Sequence, residues 1–132
     1  MKNSKLLVIS VILAGFFFMA MGHTISNEWI VPDKYKNMKN PYADSDDDYG
    51  AELYEIHCAS CHGDEGYGDG KKADNLETPM RELGSEEVLA QTDGELYYKS
   101  FIGRDEMPNF EKKIDSEEDR WLIVNFMRTL AE

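Results

Sequence analysis

Apolar positions along this chain form one unbroken run and three helical stripes, separated by stretches without a sustained period. The run extends from Leu6 to Gly22. The first stripe leads through Gly50, Leu53, Tyr54 and Ile56, and it opens on Ser45-Asp46-Asp47-Asp48, a hydroxyl cap followed by carboxylates that suit a helix N-terminus. The second opens on Thr92-Asp93-Gly94-Glu95, a capping-box pattern, carries Leu96, Tyr97, Phe101 and Ile102, and stops at Gly103. The third follows Ser116-Glu117-Glu118-Asp119 and is the most amphipathic, with Trp121, Leu122, Ile123, Val124, Phe126, Met127 and Leu130. Ser85-Glu86-Glu87 predicts a short helix through Ala90. Between these lie three irregular segments: a loop over residues 63–70 with glycine at every second or third place, residues 71–84, and the loop Arg104-Asp105-Glu106-Met107-Pro108-Asn109-Phe110. Nothing alternates as a strand should. The expected fold class is all-α.

Position and composition divide the chain further. Residues 1–22 pair a basic start (Lys2, Lys5) with the apolar run, the make-up of a signal peptide or N-terminal anchor. Ala20 and Gly22 are small residues suited to a cut before His23, with retention as an anchor the alternative. In either case the rest is expected outside the cytoplasmic membrane, in the periplasm, and at a membrane only if the segment is kept. Residues 23–44 are broken by Pro32 and Pro41 yet carry Trp29, Ile30, Val31 and Tyr35, which predicts an extended arm lying over the domain. Residues 45–132 form the domain itself. The formal charge is −12, from 26 acidic against 14 basic residues, so nucleic acid is excluded as a partner. Such acidity suits a partner with a basic docking surface, and equally suits plain solubility.

The chemistry sits at Cys58-Ala59-Ser60-Cys61-His62, the only cysteines in the chain. Two thiols on one helical turn can face one edge of a flat macrocycle, and the histidine after them can reach a metal at its centre. That spacing reads as covalent attachment of haem c, with His62 as the proximal iron ligand. Zinc would want further cysteine or histidine ligands, and a thioredoxin-type pair would want a βαβ unit; the chain offers neither. For the opposite face of the iron, Met107 fits best, because it follows a long excursion and Pro108 stiffens the backbone after it. Met80 and an open site are the alternatives. Met127 reads as core, His57 as a helix-surface or packing residue, and His23 as part of the arm.

With those residues placed, residues 45–131 resemble the class I c-type cytochromes, and among them the small secreted monohaem cytochromes of bacteria. The resemblance rests on Gly50-x-x-x-Tyr54-x-x-x-Cys58-x-x-Cys61-His62, on Gly103-Arg104-x-x-Met107-Pro108-x-Phe110, and on Trp121-x-x-x-Asn125-Phe126-Met127-Arg128. It implies a cytochrome c fold whose first and last helices cross near a right angle over one covalently bound haem, with Gly50 and Tyr54 meeting Ile123 and Phe126. Thioethers from Cys58 and Cys61, ligation by His62 and Met107, and a Pro79 carbonyl holding the proximal imidazole are implied as well. Arg104, Tyr97 and Tyr98 become candidates for the haem propionates, beside their plainer readings as solvated charge and core aromatics. The function so implied is one-electron transfer between redox proteins, not enzymatic turnover. The alternative is a haem subunit, sensor or enzyme with an open distal site, attached to a larger oxidase or reductase.

Overall fold

The computed structural model describes residues 29–45 and 48–130. The apolar run and the capping residues Asp46 and Asp47 lie outside them. Among the described residues the regular elements are helical: α1 Asp33–Lys36, α2 Asp48–His57, α3 Ala59–His62, a 3-10 turn Ala73–Asn75, α4 Glu86–Leu89, α5 Asp93–Tyr97 and α6 Glu117–Thr129. After α5 the chain widens into a π-helical turn, Tyr98–Ile102, before Gly103 ends it. The single β-type pairing among the described residues is an isolated bridge between Arg104 and Met107. The all-α expectation holds. None of the described helices is long and apolar enough to cross a membrane.

The principal packing is α2 against α6. A β-carbon at Gly50 would lie 2.2 Å from the Leu122 carbonyl oxygen and 3.4 Å from Phe126 Cβ. The mid-helix glycine therefore exists because the α6 backbone occupies the space a side chain would need. One turn on, the Tyr54 ring meets Phe126 with centroids 5.1 Å apart. The expected partner Phe126 is there, while Gly50 faces the main chain of Leu122; Ile123 is fully buried. A second aromatic group joins α5 to α6, with Tyr97 4.4 Å from Trp121 and 5.0 Å from Phe101 between ring centroids. Trp121, Tyr54 and Phe101 are the largest fully buried side chains, each contributing about 2–3 kcal/mol through burial.

Polar clamps set the register of these elements. Arg128 on α6 donates to the carbonyls of Leu89 and Gln91, 2.6 Å each, and pairs with Asp93 at 2.7 Å, so the C-terminal helix grips the α4–α5 junction. Ser116 Oγ caps α6 by accepting from Asp119 N–H at 3.1 Å. Thr92 and Glu95 form a complete capping box on α5: Glu95 N–H donates to Thr92 Oγ1 and Thr92 N–H donates to the Glu95 carboxylate. The Thr92 amide holds the Glu95 carboxyl below its ordinary value of 4.5. A depressed folded-state pKa stabilises the fold above the unfolded value and loses that contribution as pH falls through the folded one. Thr92→Ala should cost about 1 kcal/mol in chemical denaturation. Glu95→Gln should flatten the loss of stability on acidification below pH 4.5; an unchanged acid limb would rule out this role for the carboxylate.

Residues 29–45 pack along this body. A β-carbon at Gly94 would lie 1.9 Å from the Tyr35 carbonyl oxygen. Tyr35 also stacks obliquely on Tyr98 at 4.6 Å, and Thr92 Oγ1 donates to the Lys36 carbonyl at 3.3 Å. Farther on, Asn125 of α6 accepts from Asn40 and donates to the Tyr42 carbonyl, both at 2.7 Å. Val31 is buried, whereas its neighbour Ile30 is exposed.

Candidate functional site

Helix α2 delivers the thiols. It ends at His57, Cys58 adopts φ −117° and ψ −42°, and α3 resumes at once. The Cys61 and His62 amides both donate to the Cys58 carbonyl, at 3.1 and 3.0 Å, so one tight turn presents the whole Cys-x-x-Cys-His unit. Both thiols are free and half-buried. Burial, with the neighbouring Cys61, pushes the Cys58 thiol up to about 12. That is the opposite of the depressed pKa of a thiol-exchange cysteine.

His62 is held from behind. Gly63 turns the chain away with φ +81°, and the buried Tyr54 hydroxyl donates to the Gly63 carbonyl at 2.9 Å. Gly68 N–H returns to the His62 carbonyl at 2.7 Å, and Leu83 N–H bonds the Gly66 carbonyl at 2.8 Å. The glycine loop thus closes over the turn it leaves. Burial raises the Tyr54 phenol well above its ordinary value, reinforced by Cys58, Asp64 and Asp69, so it stays a donor throughout the working pH range. Burial also holds the His62 imidazole below its ordinary value, which favours the neutral form a metal ligand must have. Its Nδ1 is buried with no hydrogen-bond partner, so the Pro79 carbonyl is not engaged by it here, and Pro79 is exposed. A half-buried imidazole with its Nδ1 shielded, beside two thiols on one turn, is a donor set that haem c fits.

Met107 stands on a separate hairpin, after Gly103. Gly103 takes φ +70°, where a β-carbon would meet the carbonyl oxygens of Met107 and Pro108 at 2.3 and 2.5 Å. Asp105 at the tip is left-handed (φ +49°), a conformation aspartate tolerates better than most residues. Met107 N–H closes the hairpin on the Arg104 carbonyl at 2.8 Å, leaving the methionine half-buried. Glu106, between the tip and the methionine, accepts from the amides of Glu77 and Thr78 at 3.0 and 2.7 Å. Hydrogen bonds from the Thr78 side chain and from those two amides hold its carboxyl below the ordinary range. Met80, by contrast, lies against Gly68, within the loop tied to the His62 carbonyl, and a β-carbon at Gly68 would come 2.7 Å from Met80 Cβ.

The remaining candidates separate. The Tyr97 hydroxyl accepts from Arg120 Nε at 2.6 Å, and its ring belongs to the core. Tyr98 packs on Tyr35. The Arg104 guanidinium covers the Trp29 ring at 4.5 Å and lies 3.7 Å from the Asp105 carboxylate. His57 stands edge-on to Phe110 at 6.4 Å, a packing role. A surface hollow of about 560 Å³ beside α3 is lined by Glu55, Ala59, Gly63, Asp64 and Asp69 among others, and by neither cysteine, His62 nor Met107. Sequence reasoning missed Glu106, for which an acid beside a methionine carries no signal of its own. Trp121 is core as expected, with its indole N–H buried and without a hydrogen-bond partner among the described residues.

Comparison with known proteins gives a family. The one described as cytochrome C oxidase, cbb3-type, subunit III matches residues 45–127. No curated protein matches the chain.

Proposed function

The chain belongs to the family of cytochrome c oxidase, cbb3-type, subunit III, small c-type cytochromes that carry covalently bound haem c and serve electron transfer, and on that premise we propose that it is a monohaem one-electron carrier with iron ligated by His62 and Met107. Haem c supplies the couple, Fe(III)/Fe(II), and the chain supplies what tunes and positions it. Cys58 and Cys61 hold the thioethers. His62 gives a neutral imidazole from a turn fixed by Tyr54, and Met107 gives a thioether from a hairpin fixed by Gly103 and Glu106. Met80 sits with the proximal loop, which supports Met107 over Met80 as the ligand from the opposite face. The net charge of −12 favours the ferric state and so lowers the potential.

The observation that carries this reading is the single tight turn that presents Cys58, Cys61 and a half-buried His62 together, the imidazole held below its ordinary pKa by burial. It is tested on the mature secreted protein. Intact mass should exceed that of the peptide by one haem, and acid–acetone should leave the colour on the chain. The oxidised spectrum should show a methionine–iron charge-transfer band, and the ferrous form should exclude CO. A colourless product sinks the proposal; a coloured one that binds CO and lacks the band sinks the Met107 assignment alone.

The family match favours a second reading, in which the same domain passes electrons as a subunit of an oxidase complex. The domain is then placed outside the cytoplasmic membrane and held there by residues 6–22. Co-purification with an oxidase from solubilised membranes supports the subunit, and recovery as a free monomer supports the carrier.

A further inference from the structure

The arm reaches the loop that carries the distal ligand. Trp29 lies under the Arg104 guanidinium at 4.5 Å, and the Arg104 carbonyl accepts the Met107 amide at 2.8 Å, so the residue covered by the indole is the one that closes the methionine hairpin. Downstream of Trp29 the arm is anchored repeatedly: Val31 is buried, Tyr35 packs on Gly94 and Tyr98, the Lys36 carbonyl accepts from Thr92, and Asn40 and Tyr42 bond Asn125. It is a strap fixed to α5 and α6 whose leading end bears on the hairpin. The hairpin itself has a left-handed aspartate at its tip, which pairs with the Arg104 guanidinium, and is tied through Glu106 to the amides of Glu77 and Thr78.

We infer that Trp29 is a positioning residue for the distal ligand: by stacking on Arg104 it holds the hairpin 103–108 in the conformation that keeps the Met107 thioether on the iron. This rests on the His62/Met107 reading above. Cation–π contacts at partly exposed sites are modest, so the strap biases an equilibrium between bound and released methionine and does not create the bond. The hairpin backbone is already closed by its own hydrogen bond. What the indole adds, beside the Asp105 carboxylate 3.7 Å from the guanidinium, is a contact that limits the motion of the Arg104 side chain and so of the hairpin it is tethered to.

The test uses the full-length haem-loaded protein as wild type, Trp29→Phe, Trp29→Ala and Arg104→Gln. In Trp29→Ala the fraction of iron without methionine should rise about three- to tenfold, read as loss of the charge-transfer band and faster CO uptake by the ferrous form. Trp29→Phe, which keeps a ring face, should restore most of the band. The Trp29→Ala/Arg104→Gln pair should be non-additive. In denaturant the band should vanish in Trp29→Ala well before helicity is lost. Band and helicity lost together, as in wild type, would mean that Trp29 only stabilises the fold and would overturn the inference. A wild-type band unchanged in whichever of Trp29→Ala and Arg104→Gln folds also overturns it, so the failure of one variant to fold leaves the other to decide. Absence of the band from wild type removes the ligand assignment itself, and the inference with it.

Discussion

Replacing Met107 by alanine is expected to abolish the methionine–iron band, open the ferrous protein to CO, and lower the reduction potential. Axial ligands span roughly 0.8 V across haem proteins, and loss of a thioether that favours Fe(II) should use a substantial part of that range. Met80→Ala should leave band, CO exclusion and potential as in wild type. The contrast follows from placement. Met107 leaves a hairpin closed on Arg104 and pressed against Gly103, whereas Met80 is packed on Gly68, in the loop that returns to the His62 carbonyl. The fold should survive Met107→Ala, because the half-buried side chain is absent from the central aromatic packing. Redox titration and CO difference spectra of the two variants decide the matter. If Met80→Ala lost the band and Met107→Ala kept it, the two roles would have to be exchanged.

Gly50→Ala is expected to destabilise the domain severely, although helix propensity alone points the other way. In an unpacked helix, alanine for glycine would gain about 0.5–1 kcal/mol. Here the new β-carbon would sit 2.2 Å from the Leu122 carbonyl oxygen, and that atom is main chain of α6, which cannot rotate aside as a flexible side chain would. The helices would have to separate, disturbing the Tyr54–Phe126 contact and the hydrogen bond from Tyr54 that holds the chain after His62. Overpacking of this kind typically costs about 1–3 kcal/mol and more when backbone must move. A net loss of about 3 kcal/mol would be a large share of the roughly 5–15 kcal/mol of a domain this size. Urea unfolding of the haem-loaded protein measures it, and a variant as stable as wild type would show that α2 and α6 are not in such close approach. Because Tyr54 links the packing to the proximal loop, Gly50→Ala should also weaken haem retention during maturation.

The helices of the domain were legible because they carry their own instructions, whereas α1 was not: Pro32 and Pro41 read as breakers in an extended arm, and Pro32 instead stands at the N-cap of Asp33–Lys36. Thr92 with Glu95 and Ser116 with Asp119 cap the helices they open, and the stripe from Trp121 to Leu130 turns one face of α6 inward. The π-helical widening after Tyr97 was not legible. The local pattern through Ile102 is that of any helix; in the structure the Phe101 carbonyl at its end receives the amides of Phe110 and Glu111, contacts that the segment alone does not encode. At the site, Cys58, Cys61 and His62 are read directly, since their chemistry depends on spacing within one turn. The partners of Gly50 needed the assembled pair of helices, which set its neighbour as the Leu122 carbonyl.

By itself, then, the order of residues determined an all-α domain, where its capped helices begin, and a cysteine–cysteine–histidine turn made for haem, because caps, stripes and that turn are interactions among residues a few places apart. Tertiary structure alone decided that Met80 lies with the glycine loop that returns to the His62 carbonyl, that Glu106 ties the Met107 hairpin to Glu77 and Thr78, and that Trp29 meets Arg104. Those contacts join residues up to 75 positions apart, and no local preference encodes which side chain will be brought opposite which.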